Sequence, residues 1–168
     1  MEFKIFIANL GKYNEGKMVG EWINLPATEE ELEEVLDRIG INEEYEEIFI
    51  PDYENEFNYK VNEYANLDEL NDIAYKLDNL TTDEKEKIKA GLELWDFEDV
   101  FDNLDDFILM ENINSDYDLG YYWIEESGCY NLDNLGVLRN YINYEAFGRD
   151  IRFETDGGFT SYGWIERH

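Results

Sequence analysis

Hydrophobic and polar positions alternate at the start of the chain. Residues Phe3 to Leu10 alternate apolar with other side chains and predict a strand. Val19 to Leu25, around Trp22 and Ile23, predicts a second, with Tyr13-Asn14-Glu15-Gly16 supplying the turn between them. After Pro26 the period becomes helical. Thr28 with Glu31 three residues on forms a capping box. The apolar stripe Leu32, Val35, Leu36 and Ile39 follows, and Gly40 ends the helix. Ile48-Phe49-Ile50, before Pro51, predicts a short third strand, so the order is β-β-α-β.

From residue 62 to 105 only the helical period remains. Asn66 caps a helix with the stripe Leu67, Leu70, Ile73, Ala74 and Leu77. Thr81 with Glu84 forms a second capping box leading to Ile88, Leu92 and Trp95. Asp96 opens a third helix through Phe97, Val100, Phe101 and Leu104. Beyond Asp105 the first pattern returns. Phe107-Ile108-Leu109-Met110 and Tyr121-Tyr122-Trp123-Ile124 read as strands, a helix carries Leu135, Leu138 and Ile142, and Ile151-Arg152-Phe153 reads as a closing strand. Leu32, Val35, Ile39, Ile48 and Ile50 fall in step with Leu135, Leu138, Ile142, Ile151 and Phe153, and Trp22-Ile23 echoes Trp123-Ile124. The echo leaves an internal duplication open. With or without it, the expected fold is α+β and elongated: two small β-β-α-β parts, residues 1–61 and 106–168, flanking an all-helical part, residues 62–105.

Composition adds a core and a large charge. Hydrophobic residues make up 43% and aromatic residues 16%, which excludes disorder as the general state. Forty-two Asp and Glu stand against thirteen Lys and Arg, a formal net charge of -29 at pH 7. Folding does not require such self-repulsion, which weakens the compact state. A solvated acidic surface is the plain alternative, yet adaptation to high salt avoids bulky aromatic surfaces, and this chain carries 13 Tyr, 10 Phe and 4 Trp.

The acids are concentrated on helix faces and loops. Glu30, Glu33, Glu34 and Asp37 occupy outward positions of the first helix, Glu43, Glu44, Glu46 and Glu47 the following loop, and Asp52 and Glu54 the end of the third strand. Asp68, Glu69, Asp72 and Asp78 lie on the helix capped by Asn66, and Glu98, Asp99, Asp102, Asp105 and Asp106 on the third helix and its end. Glu30 with Glu34, Glu33 with Asp37, Asp68 with Asp72, Glu98 with Asp102 and Asp102 with Asp106 stand at i,i+4, where like charges each cost about 0.2–0.5 kcal/mol. A merely solvated face mixes both signs. Duplex DNA carries one charge per roughly 1.7 Å of axis, so -29 matches about 49 Å of duplex, on the order of 15 base pairs. These eighteen carboxylates, Asp78 aside, are the candidate DNA-mimicking surface.

The same charge disfavours direct binding to nucleic acid or to an anionic membrane. No stretch approaches 18 apolar residues, and Met1 to Ile7 lacks the apolar region of a signal peptide. Cys129, the single cysteine, excludes an internal disulfide and a cysteine-based metal site, in keeping with the reducing cytoplasm.

Nothing in the sequence points to catalysis. Among 42 acids a carboxylate pair carries no information about hydrolysis. His168 is the final residue and is expected to fray, Cys129 has no other histidine to activate it, and Gly157-Gly158 reads as a hairpin turn rather than a phosphate loop. Asn114-Ser115-Asp116-Tyr117-Asp118 with Glu125 spaces oxygens as in a calcium hand, but Leu119 stands where that loop needs Gly. No catalytic residue, metal or cofactor is therefore assigned. An acidic chaperone or inhibitor of other basic nucleic-acid-binding proteins shares the electrostatics and differs in its partner.

Three segments resemble the ArdA-type antirestriction proteins of mobile genetic elements. They are the run from Tyr13-Asn14-Glu15-Gly16 through Glu21-Trp22-Ile23-Asn24-Leu25-Pro26, then Ile50-Pro51-Asp52-Tyr53-Glu54, and Asn143-Tyr144-Glu145-Ala146-Phe147-Gly148-Arg149-Asp150. The resemblance implies an elongated, DNA-mimicking homodimer. It would compete with DNA for type I restriction–modification enzymes, above all their methyltransferase core, and have no catalytic residue.

Overall fold

The alternating start of the chain folds as strand β1 (Phe3–Asn9) in the computed structural model, which describes residues 1–168. A short helix α1 (Leu10–Asn14) leads to β2 (Gly20–Asn24), helix α2 (Glu29–Ile39) and β3 (Ile48–Asn55). Helix α3 (Leu67–Asp78) completes the first of two compact units, Met1–Leu80 and Thr81–His168.

In the first unit the expected β-β-α-β order holds. Both outer strands run antiparallel to β1, in the order β2-β1-β3. Ile5, Ile7 and Ile23 are buried on the inner side of the sheet, and Leu32, Val35 and Ile39 form the buried stripe of α2. The Thr28–Glu31 capping box is complete, and Gly40 closes α2 in the left-handed conformation at φ 81°. Two details differ from expectation. The predicted turn at residues 13–16 is partly helix α1, because buried Asn9 accepts the Lys12 N–H at 3.0 Å and so caps a helical turn. Strand β3 also continues through Pro51. The ladder slips there, with Phe6 opposite Asp52 but Ala8 opposite Phe49, and a bulge on an edge strand tolerates a residue without an N–H.

The second unit begins with the other two helices predicted for the middle of the chain, α4 (Thr82–Gly91), which ends before the expected Leu92 and Trp95, and α5 (Phe97–Asp102). The Thr81–Glu84 box is complete, whereas Asp96 occupies the cap of α5 without a side-chain hydrogen bond. A 3-10 turn (Leu104–Asp106) precedes strand β4 (Phe107–Met110), which matches its predicted range. Then come helix α6 (Asp116–Tyr121), a π-helical turn (Tyr122–Glu126), a 3-10 helix (Gly136–Tyr141), helix α7 (Tyr144–Glu154) and strands β5 (Gly157–Thr160) and β6 (Gly163–Arg167). The sheet is antiparallel in the order β4-β6-β5. The fold is α+β, with a three-stranded antiparallel sheet in each unit.

The strand expectations at Tyr121–Ile124 and Ile151–Phe153 are corrected: both segments are helical. Their aromatic and β-branched residues favour strands in isolation, but tertiary packing of α6 against α7 overrides that preference. Glycines make the packing possible. A Cβ on Gly148 would lie 2.6 Å from the Gly120 nitrogen and would collide with the Asp116 carbonyl oxygen. Leu138, aligned by the echo with buried Val35, is 62% exposed in the 3-10 helix, so the apolar echo does not correspond to a structural duplication. Gly157-Gly158 is not the hairpin turn either. It lies in β5, where a Cβ on Gly157 would come within 2.6 Å of the Ile165 carbonyl oxygen.

Candidate functional site

In each compact unit the apolar stripes decide which carboxylates reach solvent. Burial of Leu32, Val35 and Ile39 turns Glu30, Glu33, Glu34 and Asp37 outward on α2, and all four are exposed. Leu70, Ala74 and Leu77 do the same on α3, exposing Asp68, Glu69 and Asp72. Asn71 joins these two helices. Its Oδ1 accepts from the Ala27 N–H at 2.8 Å, and its Nδ2 donates to the Ala27 carbonyl at 2.9 Å, just ahead of the α2 cap. This double bond pattern fixes the acidic helices relative to each other, and no local sequence signal marked Asn71 for it.

The loop between α2 and β3 is shaped by Asn42, whose side-chain oxygen accepts from the N–H groups of Glu44 and Tyr45 at 2.8 and 3.1 Å. Tyr45 donates from its hydroxyl to Glu15 at 2.9 Å. Glu43, Glu44, Glu46 and Glu47 project around this turn and line an open depression with Gly11, Asn14 and Tyr45. On β3, Asp52 and Glu54 are exposed on the sheet face that carries Lys4, Phe6 and Trp22. Lys4 reaches Glu54 at 2.6 Å and Glu2 at 3.3 Å, and these hydrogen bonds, Glu54 first, raise the Lys4 pKa.

In the second unit, burial of Phe97 and Val100 leaves Glu98, Asp99 and Asp102 exposed on α5, and Asp105 and Asp106 extend the series through the 3-10 turn. All eighteen sequence-predicted surface carboxylates are therefore exposed. Thirteen belong to the first unit and five to the second.

A different set of carboxylates holds the fold. Arg38 binds Glu21 at 2.6 Å and Glu34, one of the eighteen, at 3.4 Å. The Arg38 hydrogen bond holds Glu21 below the ordinary carboxylate range. The cap hydrogen bonds from Thr28 and Thr81 do the same for Glu31 and Glu84. Arg152 donates to both oxygens of Asp116 at 2.7 and 3.1 Å, tying α7 to α6 and lowering the Asp116 pKa. Glu125 receives Arg139 and the Tyr144 hydroxyl, and both hydrogen bonds, Arg139 first, lower its pKa.

The residues of the calcium-hand spacing serve these structural roles. Ser115 caps α6 through the Asp118 N–H at 3.1 Å, Asp118 accepts back from Ser115 and Asn114, and Asp116 and Glu125 are each held by an arginine. No three His, Cys, Asp or Glu side chains form a group able to hold a metal ion. Cys129 is an exposed free thiol. His168 is tied down rather than frayed: its N–H donates to the Asp106 carbonyl at 2.9 Å and its Nε2 lies 3.0 Å from the buried carboxylate of Glu166. Glu166 in turn accepts from the Trp164 indole N–H at 2.7 Å.

No helix is long and apolar enough to cross a membrane. No curated protein sequence matches the chain. The family model for the antirestriction protein ArdA matches residues 5–166, which span both sheets and all of the acidic positions described above, and the chain belongs to the ArdA antirestriction family.

Proposed function

We propose that this protein inhibits type I restriction–modification enzymes in the cytoplasm by occupying their DNA-binding groove, above all that of the methyltransferase core, with its exposed carboxylates. The observation that carries the reading is the exposure of all eighteen predicted acids in a chain of net charge -29. Thirteen bases cannot neutralise 42 acids, and several arginines go to carboxylates outside the eighteen, Glu21, Asp116 and Glu125, while Glu54 is paired with Lys4 and Glu34 with Arg38. The remaining field attracts a basic groove, speeds association and weakens steeply with salt. No bond is made or broken, so the protein acts by occupancy, without turnover or cofactor.

The acting form is a homodimer. Two copies of this charge repel, and self-association needs an apolar surface free of carboxylates. Residues 134–144 contain no Asp or Glu, and within them Val137, Leu138 and Tyr141 are 75%, 62% and 83% exposed. Three strongly exposed apolar side chains on one short carboxylate-free run, between Asp133 and Glu145, support an association surface here.

The test measures cleavage and methylation by a purified type I enzyme at increasing concentrations of specific DNA, alongside the protein's mass in solution. Inhibition competitive with DNA, lost progressively between 50 and 300 mM salt, is expected. A dimer that dissociates in Leu138→Asp is expected as well. Inhibition that excess DNA never relieves, or a covalently altered enzyme or DNA, overturns the mechanism.

A further inference from the structure

The exposed apolar residues lie on a six-residue 3-10 helix, Gly136–Tyr141. At its ends the backbone bonds are also short-range: Leu135 N–H to Leu132, Leu138 N–H to Leu135 and Ile142 N–H to Arg139, at 3.1, 3.0 and 3.3 Å. A 3-10 run of this length is uncommon and its hydrogen-bond geometry is poorer than that of an α-helix, so side-chain contacts help fix where Val137, Leu138 and Tyr141 point. Arg139 lies among them, and its guanidinium runs inward to Glu125, with Nε donating at 3.2 Å. The Glu125 side chain is only 7% exposed, whereas Arg139 is 53% exposed. The Tyr144 hydroxyl, from the first residue of α7, donates to the same carboxylate.

Glu125 owes its position to the π-helical turn. The Ser127 N–H reaches back five residues to the Tyr122 carbonyl at 2.8 Å, inserting an extra residue at the end of α6. Such turns are rare and occur frequently at functional sites. Here the turn brings one carboxylate to donors from both the 3-10 helix and α7.

We propose that Glu125 is a positioning residue for self-association: it latches Arg139 and Tyr144, and thereby sets the presentation of Val137, Leu138 and Tyr141 to a second copy of this chain. The inference rests on the homodimer reading above. It separates the acids into two kinds, because Glu125 acts inside the protomer while the exposed carboxylates face the partner enzyme. Replacing Glu125 therefore lowers inhibition only by way of the dimer.

The experiment compares wild type, Glu125→Gln, Arg139→Gln and the double variant, all as full chains. Hydrogen exchange is followed at the amides of Leu135, Leu138 and Ile142 at a dilution where the protein is monomeric, and the dimer dissociation constant is measured by sedimentation equilibrium. Each single variant is expected to accelerate exchange and weaken dimerisation at least tenfold. The double variant should be no worse than either single, since two residues acting through one contact are not additive. Two separate structural roles would instead add.

Unchanged exchange in the single variants, additive effects in the double, or faster exchange with an unchanged dimer constant overturns the latch. If Glu125→Gln fails to fold, Arg139→Gln, altered on the exposed side of the pair, decides by the same two readouts. A wild type that stays monomeric at high concentration overturns the homodimer reading, and with it the role in association. The exchange arm still reports separately whether Glu125 orders the segment.

Discussion

Replacing Glu33 by Gln together with Asp37 by Asn on α2 should stabilise the first unit and weaken inhibition at the same time. Both side chains are exposed on the face opposite Leu32, Val35 and Ile39, so no buried contact changes. Removing their i,i+4 repulsion contributes about 0.2–0.5 kcal/mol. Asp37 also stands in the last turn, two residues before Ile39, where the exposed helix carbonyls disfavour an anion by about 0.3–1 kcal/mol. Together these give a gain of roughly 0.5–1.5 kcal/mol. For a unit of this size, each kcal/mol corresponds to about 4–8 °C in Tm. Calorimetry at low salt should therefore show a rise of at least about 2 °C, shrinking as added salt screens the pair.

The effect on inhibition has the opposite sign. An exposed charge contact contributes about 0.2–1 kcal/mol, so two lost contacts raise the inhibition constant about two- to thirtyfold and make its salt dependence shallower. Circular dichroism on the same samples checks that the fold is intact. A lower Tm, or complete loss of inhibition in a well-folded variant, would refute the reasoning. The first outcome would mean that these charges are compensated, and the second would mean that function sits at a focal site rather than across a surface.

Gly148→Ala should open the α6–α7 packing, because the new Cβ meets the Asp116 carbonyl and the Gly120 nitrogen, both backbone atoms that cannot rotate away. Overpacking of this kind costs about 1–3 kcal/mol or more, and lost near-ultraviolet dichroism from Trp123 and Trp164 is the readout. Asp116→Asn should destabilise the protein in a pH-dependent way. The Arg152 pairing holds the Asp116 carboxyl below its ordinary range in the folded state, so its contribution is complete above the unfolded-state pKa and fades as pH falls through the lower, folded one. The stability gap between wild type and variant in urea should therefore close on acidification below about pH 4, and a gap that widens would contradict the assignment.

The first unit was largely legible because its signals are local and agree with one another. Thr28 with Glu31 and Asn66 each cap the helix they predict, and those helices bury Leu32, Val35 and Ile39, and Leu70, Ala74 and Leu77, from their predicted stripes. In the second unit the Thr81–Glu84 box and strand β4 were as legible, but the segment beyond Met110 was not. Tyr121–Ile124 has the composition of a strand, yet the Ser115 cap and the close approach of Gly120 to Gly148 draw it into the helix pair. Asn9 and Asn71 were equally silent. Their hydrogen bonds reach Gly40 at 3.1 Å and Ala27 at 2.8 Å, across sequence separations at which no local pattern operates.

The sequence by itself determined the α+β class, the sign and size of the field, and the exposure of the eighteen carboxylates, because capping and amphipathic periodicity depend on neighbours within one or two helical turns. Tertiary structure decided which acids are spent on the fold. Glu125 and Asp116 looked like members of a calcium loop, and the structure gives them to Arg139 and Arg152, fourteen and thirty-six residues away. It likewise left Leu138 in solvent, although its spacing with Leu135 and Ile142 read as the apolar stripe of a helix. The physical reason is the same in both cases. A carboxylate or an apolar side chain carries no local mark of its partner, and only the tertiary packing of the second unit determines whether that partner is an arginine, the core or solvent.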